Sequence, residues 1–475
     1  MPVPQRRTKI VATWGPALAG EERLRQAILA GADVFRLNFS HATGEEVSAV
    51  VPRIRALSAE LGRPVALLQD IQGPRLRTGV VENPDGATLT TGGRVVVTSE
   101  HVPVTSSVVS IPYPKLAHDV APGHRILIAD GAMALRVDAV RPPELDAEIV
   151  AGGVLTSHKG VNLPDSRVTA DPLTPKDRAD LALGAELGVD YVAVSFVRSG
   201  ADVEACRSLL RELGAETPIV AKIEHPLAID NLPDILEASD GVMVARGDLG
   251  VEVSPERVPL LQKQIIARAN EAGLPVITAT QMLESMIERP TPTRAEASDI
   301  ANAILDGTDA VMLSGETAIG AFPTDAIATM ARIALAAETS EAAARHFRQQ
   351  GGDDQPHAMA GAACMLAERL GARAMVVVTG SGRTAATLSR QRPAVPVYAF
   401  TSEPEVARSL MLWYGVWPIQ TAIADRFEVT VQSTLGQLEQ RGALVPGDHV
   451  VFFGTAPVGA GKMPNLITVR TVGEG

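Results

Sequence analysis

Short apolar runs rich in Val, Ile and Ala recur along the chain, and most stop at a polar or charged residue. Eight of them fit buried parallel strands: Lys9 to Trp14, Val34 to Phe39, Val65 to Asp70, Tyr191 to Phe196, Ile219 to Glu224, Gly241 to Arg246, Val276 to Thr280 and Ala310 to Ser314. A strand covered on both faces reads as a continuous hydrophobic run rather than as an alternation. Amphipathic stretches with helical spacing, such as Glu21 to Ala30, Glu46 to Leu61 and Pro259 to Ala272, lie between most of the runs. Strand and helix alternating eight times predict a (β/α)8 barrel, an α/β fold.

One connection is too long for that pattern. Between Asp70 and Tyr191 lie 120 residues, Gly- and Pro-rich in the middle, with short alternating runs at Arg94 to Thr98, Arg125 to Ile128 and Ala134 to Asp138. Such runs bounded by turn residues predict a small all-β lid domain inserted over residues 73–170. The barrel then falls into two parts, residues 1–72 and 171–340. A polar stretch from Arg345 to Gln355 reads as a linker. It opens a C-terminal α/β domain over residues 341–475, with strands at Ala374 to Thr379, Val395 to Phe400, His449 to Phe453 and Asn465 to Arg470.

Composition narrows the function classes. A chain of 475 residues can bury several cores without staples. Its two cysteines, Cys206 and Cys364, fall in helical stretches and read as small buried hydrophobes of a protein in a reducing compartment. The start is polar and basic without an apolar core, and no apolar stretch approaches membrane length, which predicts a cytoplasmic protein with no membrane partner. A net charge of −12 with 3% aromatics offers neither a basic footprint nor stacking platforms for nucleic acid. An anionic small substrate remains compatible, since a cleft can concentrate basic residues against the overall sign.

Active sites of such barrels lie at the carboxyl ends of the strands. Collected there are Arg36, Asn38 and Ser40, then Asp70, Ser195, Lys222 with Glu224, Arg246 with Asp248, Thr280, and Ser314 with Glu316. Lys222 and Glu224 stand two apart on one strand and point the same way. A lysine so deep in Ile219-Val-Ala-Lys-Ile-Glu224 is costly unless it faces a ligand or a carboxylate. A structural Lys-Glu pair is the plain alternative. Glu224 and Asp248 together suit one hard divalent cation. Metal, lysine and arginine suit phosphoryl transfer, where catalysis is mostly positioning and charge neutralisation.

Five segments carry a resemblance: Thr8-Lys-Ile-Val-Ala-Thr13, Arg36-Leu-Asn-Phe-Ser-His41, Met243-Val-Ala-Arg-Gly-Asp-Leu-Gly250, Ala279-Thr-Gln-Met-Leu-Glu-Ser-Met286 and Met312-Leu-Ser-Gly-Glu-Thr317. Together they resemble the signature segments of the pyruvate kinases. The resemblance implies a barrel, an inserted lid and a regulatory C-terminal domain in a homotetramer. It also implies transfer of the phosphoryl group of phosphoenolpyruvate to ADP, giving pyruvate and ATP in the last step of glycolysis. Lys222 matches the catalytic lysine, and Glu224 and Asp248 match the ligands of Mg2+ or Mn2+. Arg36 and Arg77 match phosphate contacts, and His41 a nucleotide contact. Thr280 and Ser314 match the residues beside the pyruvate methyl carbon and its proton relay. The amides of Ala245, Arg246 and Gly247, with Asp248, match the cradle of the substrate carboxylate.

The resemblance further places a monovalent-cation site at Asn38, Ser40, Asp70 and a threonine, but here that threonine is Ile71. Arg75 stands where an acidic residue is frequent. A guanidinium cannot lose its proton and can bridge carboxylate and phosphate, so Arg75 is expected to make potassium unnecessary. A solvated arginine beside a retained potassium site is the alternative. In the last domain, Thr379, Ser381, Gly382, Arg383 and Thr384 form a strand-to-helix turn suited to a phosphorylated effector, against the plain reading of a Gly-rich turn. Two rivals remain: an enolate-forming lyase on the same barrel, and a metabolite sensor without activity. The inserted lid argues against the first. The presence of Lys222, Glu224, Asp248, Thr280 and Arg36 together argues against the second.

Overall fold

The computed structural model describes residues 6–340, 354–424, 426–455 and 463–474. Eight parallel strands close into a barrel in the circular order Lys9–Thr13, Val34–Asn38, Ala66–Asp70, Tyr191–Val194, Ile219–Ile223, Gly241–Ala245, Val276–Ala279 and Ala310–Leu313. These are the eight expected runs. Seven of them end one or two residues sooner than the sequence suggested. At two of those ends the cause is visible: Phe196 (φ 56°) and Thr280 (φ 69°) turn into the left-handed region and lift the chain out of the ladder. The helices Glu21–Ala30, Gly44–Leu61 and Val258–Ala272 pack outside, and their buried faces meet the outward strand residues in one apolar layer.

The barrel's lower interior holds Val11, Val34, Leu68, Tyr191, Val220 and Ile277, and Met411 and Leu412 of the last domain join the same cluster. A repeated device ties the bottom rim. Asp33, Asp190, Asp240 and Asp309 each immediately precede every second strand. Their carboxylates accept the backbone N–H of Ile10 (2.8 Å), Leu67 (2.7 Å), Ile219 (2.9 Å) and Val276 (2.9 Å) on the strand before. Each is also ion-paired with an arginine, and two of those arginines, Arg408 on Asp190 (2.7 Å) and Arg392 on Asp309 (3.0 Å), come from the C-terminal domain. The rim that closes the barrel is therefore also where the last domain docks.

The insertion forms a seven-stranded sheet in the order Leu76–Arg77, Gly160–Asn162, Arg125–Ile128, Met133–Arg141, Glu144–Ala151, Arg94–Thr98 and Val108–Ser110. A two-stranded piece, Ala87–Leu89 with Gly153–Leu155, lies beside it. It is not purely β as expected: Leu116–Asp119 is a short helix, its turn fixed by Asp119, which accepts from the Thr169 amide at 2.7 Å. The C-terminal sheet runs Val416–Gln420, Val397–Thr401, Ala374–Val378, His449–Gly454 and Leu466–Thr471, with the last strand antiparallel. The first of these strands was not expected, because it contains Pro418. A proline is tolerated there because the strand lies at the sheet edge. That strand also meets the barrel: Lys9 Nζ donates to the Val416 carbonyl at 2.5 Å and lies 3.9 Å from the centre of the Trp417 ring. Of the expected linker, all but its last residue, Gln355, and Asp354 lie outside the described residues.

Candidate active site

The carboxyl rim of the barrel gathers four charged side chains, Arg36, Asp70, Lys222 and Glu224. Lys222 Nζ lies 2.9 Å from Glu224 Oε1 and 3.3 Å from Asp70 Oδ1, and donates to Ser195 Oγ at 2.7 Å. Arg36 Nε lies 2.6 Å from Asp70 Oδ2, and its other nitrogen donates to Thr13 Oγ1 at 3.2 Å. Lys222, Glu224 and Asp70 are all buried. Burial alone pushes the Asp70 carboxyl up, but Lys222 and Arg36 outweigh it and leave the group below its ordinary value. Burial likewise pulls the Lys222 ammonium down, and Asp70 and Glu224 more than restore it. The Glu224 carboxyl stays above its usual range, first through burial and then despite Lys222, with Asp248 adding repulsion.

Glu224 is therefore a carboxylate short of positive charge. Its Oε2 accepts the Phe196 amide at 2.8 Å, while the buried Oε1 has no hydrogen-bond donor beyond the ion pair with Lys222. Asp248 stands past the neighbouring strand, on the short helix Arg246–Glu252, partly open to solvent. Two neighbouring carboxylates, one carrying an under-satisfied buried oxygen, fit a hard divalent cation with oxygen ligands. Among the described residues no third Asp, Glu, His or Cys joins them, so substrate oxygens and water would complete the shell.

Thr280 follows the strand Val276–Ala279 and accepts the Gly247 amide on Oγ1 at 2.8 Å. One amide of the expected carboxylate cradle, after Ala245 ends its strand, is thus held by a side chain in this structure. The Arg246 side chain is buried: it pairs with Asp299 at 2.7 Å and donates to the Thr280 carbonyl at 2.6 Å. Ser314 leaves the last strand with its buried Oγ unpartnered, and its amide donates to Glu316 at 2.7 Å. Glu316 also accepts the Leu283 amide at 2.9 Å, clamping the loops that carry Thr280 and Ser314 together.

Arg75 does not lie where expected. Its ion pairs among the described residues are with Asp130 (3.4 Å) and Asp248 (3.8 Å), not with Asp70. It follows Pro74 in the hinge between barrel and lid, and from there it reaches across to the helix of Asp248. Asn38 Oδ1 accepts the Ser40 amide at 3.2 Å, and Ile71 is fully buried. His41 is exposed. Its imidazole is held below the ordinary value, first by partial desolvation and then by Arg36, Arg77 and Arg75, so three guanidiniums converge on this side of the mouth. Arg77, on the lid, donates to the His158 carbonyl at 3.0 Å. The cleft between lid and barrel, about 640 Å³, is lined by Arg75, Asp130, Gly247, Asp248 and Gln281.

Sequence reasoning gave Ser195 no role, yet it fixes Lys222 and donates to the Ile71 carbonyl at 2.8 Å. Its place at a strand end was the available signal. Gly73 has φ 69°, and a Cβ there would meet the Ser195 carbonyl oxygen at 2.9 Å, so the hinge needs a glycine. Asp177, which accepts the Gly73 amide at 3.0 Å, carried no signal beyond a helix cap. In the last domain, Thr379, Ser381, Arg383 and Thr384 line one cavity of about 470 Å³ with Phe427 and Phe452. The Gly382 amide donates to Thr379 Oγ1 at 2.9 Å and shapes the turn.

A (β/α)8 barrel with a lysine, an arginine and neighbouring carboxylates at its mouth, roofed by a β lid, has the form of a barrel enzyme whose mouth suits a divalent cation and an anionic substrate. Comparison with known proteins narrows this. The family model described as pyruvate kinase, barrel domain, matches residues 5–327, and that described as pyruvate kinase, alpha/beta domain, matches residues 357–470. Pyruvate kinase 2 of Synechocystis is 44% identical, over 99% of this chain and 80% of that protein. The pyruvate kinase of Mycobacterium tuberculosis is 43% identical over 99% of both chains. A crystal structure of a Cryptosporidium parvum pyruvate kinase superposes with a TM-score of 0.92 at 34% identity, covering 98% of this chain and 96% of that one. The chain belongs to the pyruvate kinase family.

Proposed function

We propose that the chain is a phosphotransferase that moves the phosphoryl group of phosphoenolpyruvate to ADP, giving ATP and, after protonation of the enolate, pyruvate. One observation carries the reading: a buried lysine held between two buried carboxylates and a serine at the mouth of the barrel. Lys222 places a fixed positive charge where the phosphoryl group leaves and the enolate oxygen develops charge. Arg36, braced by Asp70 and Thr13, and Arg77 hold phosphate oxygens. The substrate carboxylate lies against the turn Ala245-Arg246-Gly247, with Asp248 and Thr280 beside it, and His41 faces the nucleotide. Glu224 and Asp248 would hold Mg2+ or Mn2+, which when bound would neutralise negative charge on the substrate. Ser314, with its unpartnered Oγ, relays a proton past Thr280 to the enolate carbon.

Potassium is dispensable in this reading. Arg36 and Lys222 already neutralise Asp70, Ile71 offers no side-chain oxygen, and Arg75 adds a permanent charge on the side of Asp248. The turn Thr379, Ser381, Gly382, Arg383 and Thr384 takes a phosphorylated metabolite as effector, supported by the cavity these residues line. The enzyme works as a homotetramer in the cytoplasm, in glycolysis. Two free cysteines, and the lack among the described residues of any helix long and apolar enough to cross a membrane, are compatible with that. Pyruvate formation from phosphoenolpyruvate and ADP, followed by a coupled dehydrogenase with and without Mg2+, tests the reading. Metal-dependent turnover is expected, and none at any metal concentration would end it.

A further inference from the structure

Between the lid and the segments that carry Glu224 and Asp248 lies a small pocket of about 40 Å³ that the reaction as described does not use. Three segments meet there. The lid contributes Asn162, at the end of its strand Gly160–Asn162. The helix carrying Asp248 contributes its last residue, Glu252. The loop after Glu224 contributes His225, and Phe196, whose amide binds Glu224, forms another wall. Asn162 Nδ2 donates to Glu252 Oε1 at 2.6 Å, and both residues are buried.

The second half of the cluster is open. His225 Nδ1 accepts the Leu227 amide at 3.1 Å, so in the neutral ring the proton sits on Nε2. That nitrogen lies 3.9 Å from Glu252 Oε2, and both atoms are buried without a hydrogen-bond partner. A displacement of roughly 1 Å would bring them to bonding distance. Buried polar atoms left unmade are costly, so the cluster favours any motion that closes this gap.

We propose that Glu252 is a positioning residue for phosphoryl transfer, holding the lid to the helix of Asp248 and to the loop of Glu224. Lid closure and the spacing of the two carboxylates are thereby linked through one side chain. The proposal rests on reading Glu224 and Asp248 as the metal ligands.

The test uses the full-length enzyme and two readouts: hydrogen exchange of lid amides 160–163, and kcat against KM for phosphoenolpyruvate. Assayed at about pH 9, where both groups are ionised, Asn162→Asp sets carboxylate against carboxylate. It is expected to speed lid exchange about tenfold and lower kcat by a similar factor, the size expected for one lost buried hydrogen bond. KM should change by less than about threefold. Adding Glu252→Gln gives the new carboxylate an N–H donor and should recover both losses to within about threefold. Glu252→Ala, which adds no charge, should repeat the changes of the first variant. A purely structural contact would lower thermal stability while leaving kcat and lid exchange in the native state alone. Unchanged lid exchange and kcat in Asn162→Asp and Glu252→Ala, or a double variant no better than the single, would overturn the proposal. A metal requirement unaltered in Asp248→Asn would instead remove the metal reading and leave the lid-exchange result standing.

Discussion

At the scale of single residues, charge buried at the mouth is tolerated only because each group has a partner of opposite sign. Asp70 has two, Arg36 and Lys222, whereas Glu224 shares Lys222 with it. Glu224→Gln and Asp248→Asn are therefore each expected to raise the Mg2+ or Mn2+ concentration for half-maximal activity strongly without unfolding the barrel, as read by metal titration and circular dichroism. Arg75 makes a separate prediction. Activity in a potassium-free tetramethylammonium buffer should match that with added potassium, and Arg75→Glu should acquire a potassium requirement. Strong potassium activation of the unaltered enzyme would contradict this. Glu252 supplies a pH dependence. Burial pushes its carboxyl up to about 7 from an ordinary 4.5. The groups around it are Asn162, Arg125 and Asp165 of the lid, Asp248 on its own helix and His225, which burial first, then Arg198, holds down at about 4 and so neutral. A raised carboxyl value contributes stability at low pH that is lost as pH climbs through about 7. With the intrinsic rise of amide exchange with pH divided out, opening of the lid amides should increase between about pH 4.5 and 7 and level off above, and Glu252→Gln should flatten that profile.

At the scale of elements, the barrel was legible because each strand is a short run of four or five mostly apolar residues without helical spacing. Where the strands end was less legible. The residues that leave the ladder, such as Phe196 and Thr280, do so through backbone angles that their identities do not announce. The strand Val416–Gln420 was hidden by Pro418, and the fate of Arg75 by its position in a hinge whose direction only the lid's docking sets. The aspartates below the strands were invisible for another reason. Asp33, Asp190, Asp240 and Asp309 each look like turn residues, and their shared role appears only once alternate strands stand side by side. Asp309 depends most on the last domain: buried, and pushed up by that burial, it is answered by the buried Arg392. Arg392→Met strands that charge and should cost about 3–5 kcal/mol in a urea titration. Asp309→Asn added to it should recover part of the loss.

For the whole molecule, the C-terminal domain touches the barrel at its amino end, through Met411, Leu412, Arg392 and Arg408, while the lid and the reactive groups sit at the carboxyl end. Within one chain, a signal from the proposed effector turn would cross the barrel by way of the strands whose lower rims those arginines hold. The chemistry itself is concentrated on one ammonium group. The most direct measurement of the account is steady-state turnover of Lys222→Met with phosphoenolpyruvate, ADP and Mg2+. The structure predicts a loss in kcat of about 10²-fold or more, with KM for phosphoenolpyruvate changed far less, because the lysine acts on charge that develops during transfer. A variant turning over at near the unaltered rate would contradict it.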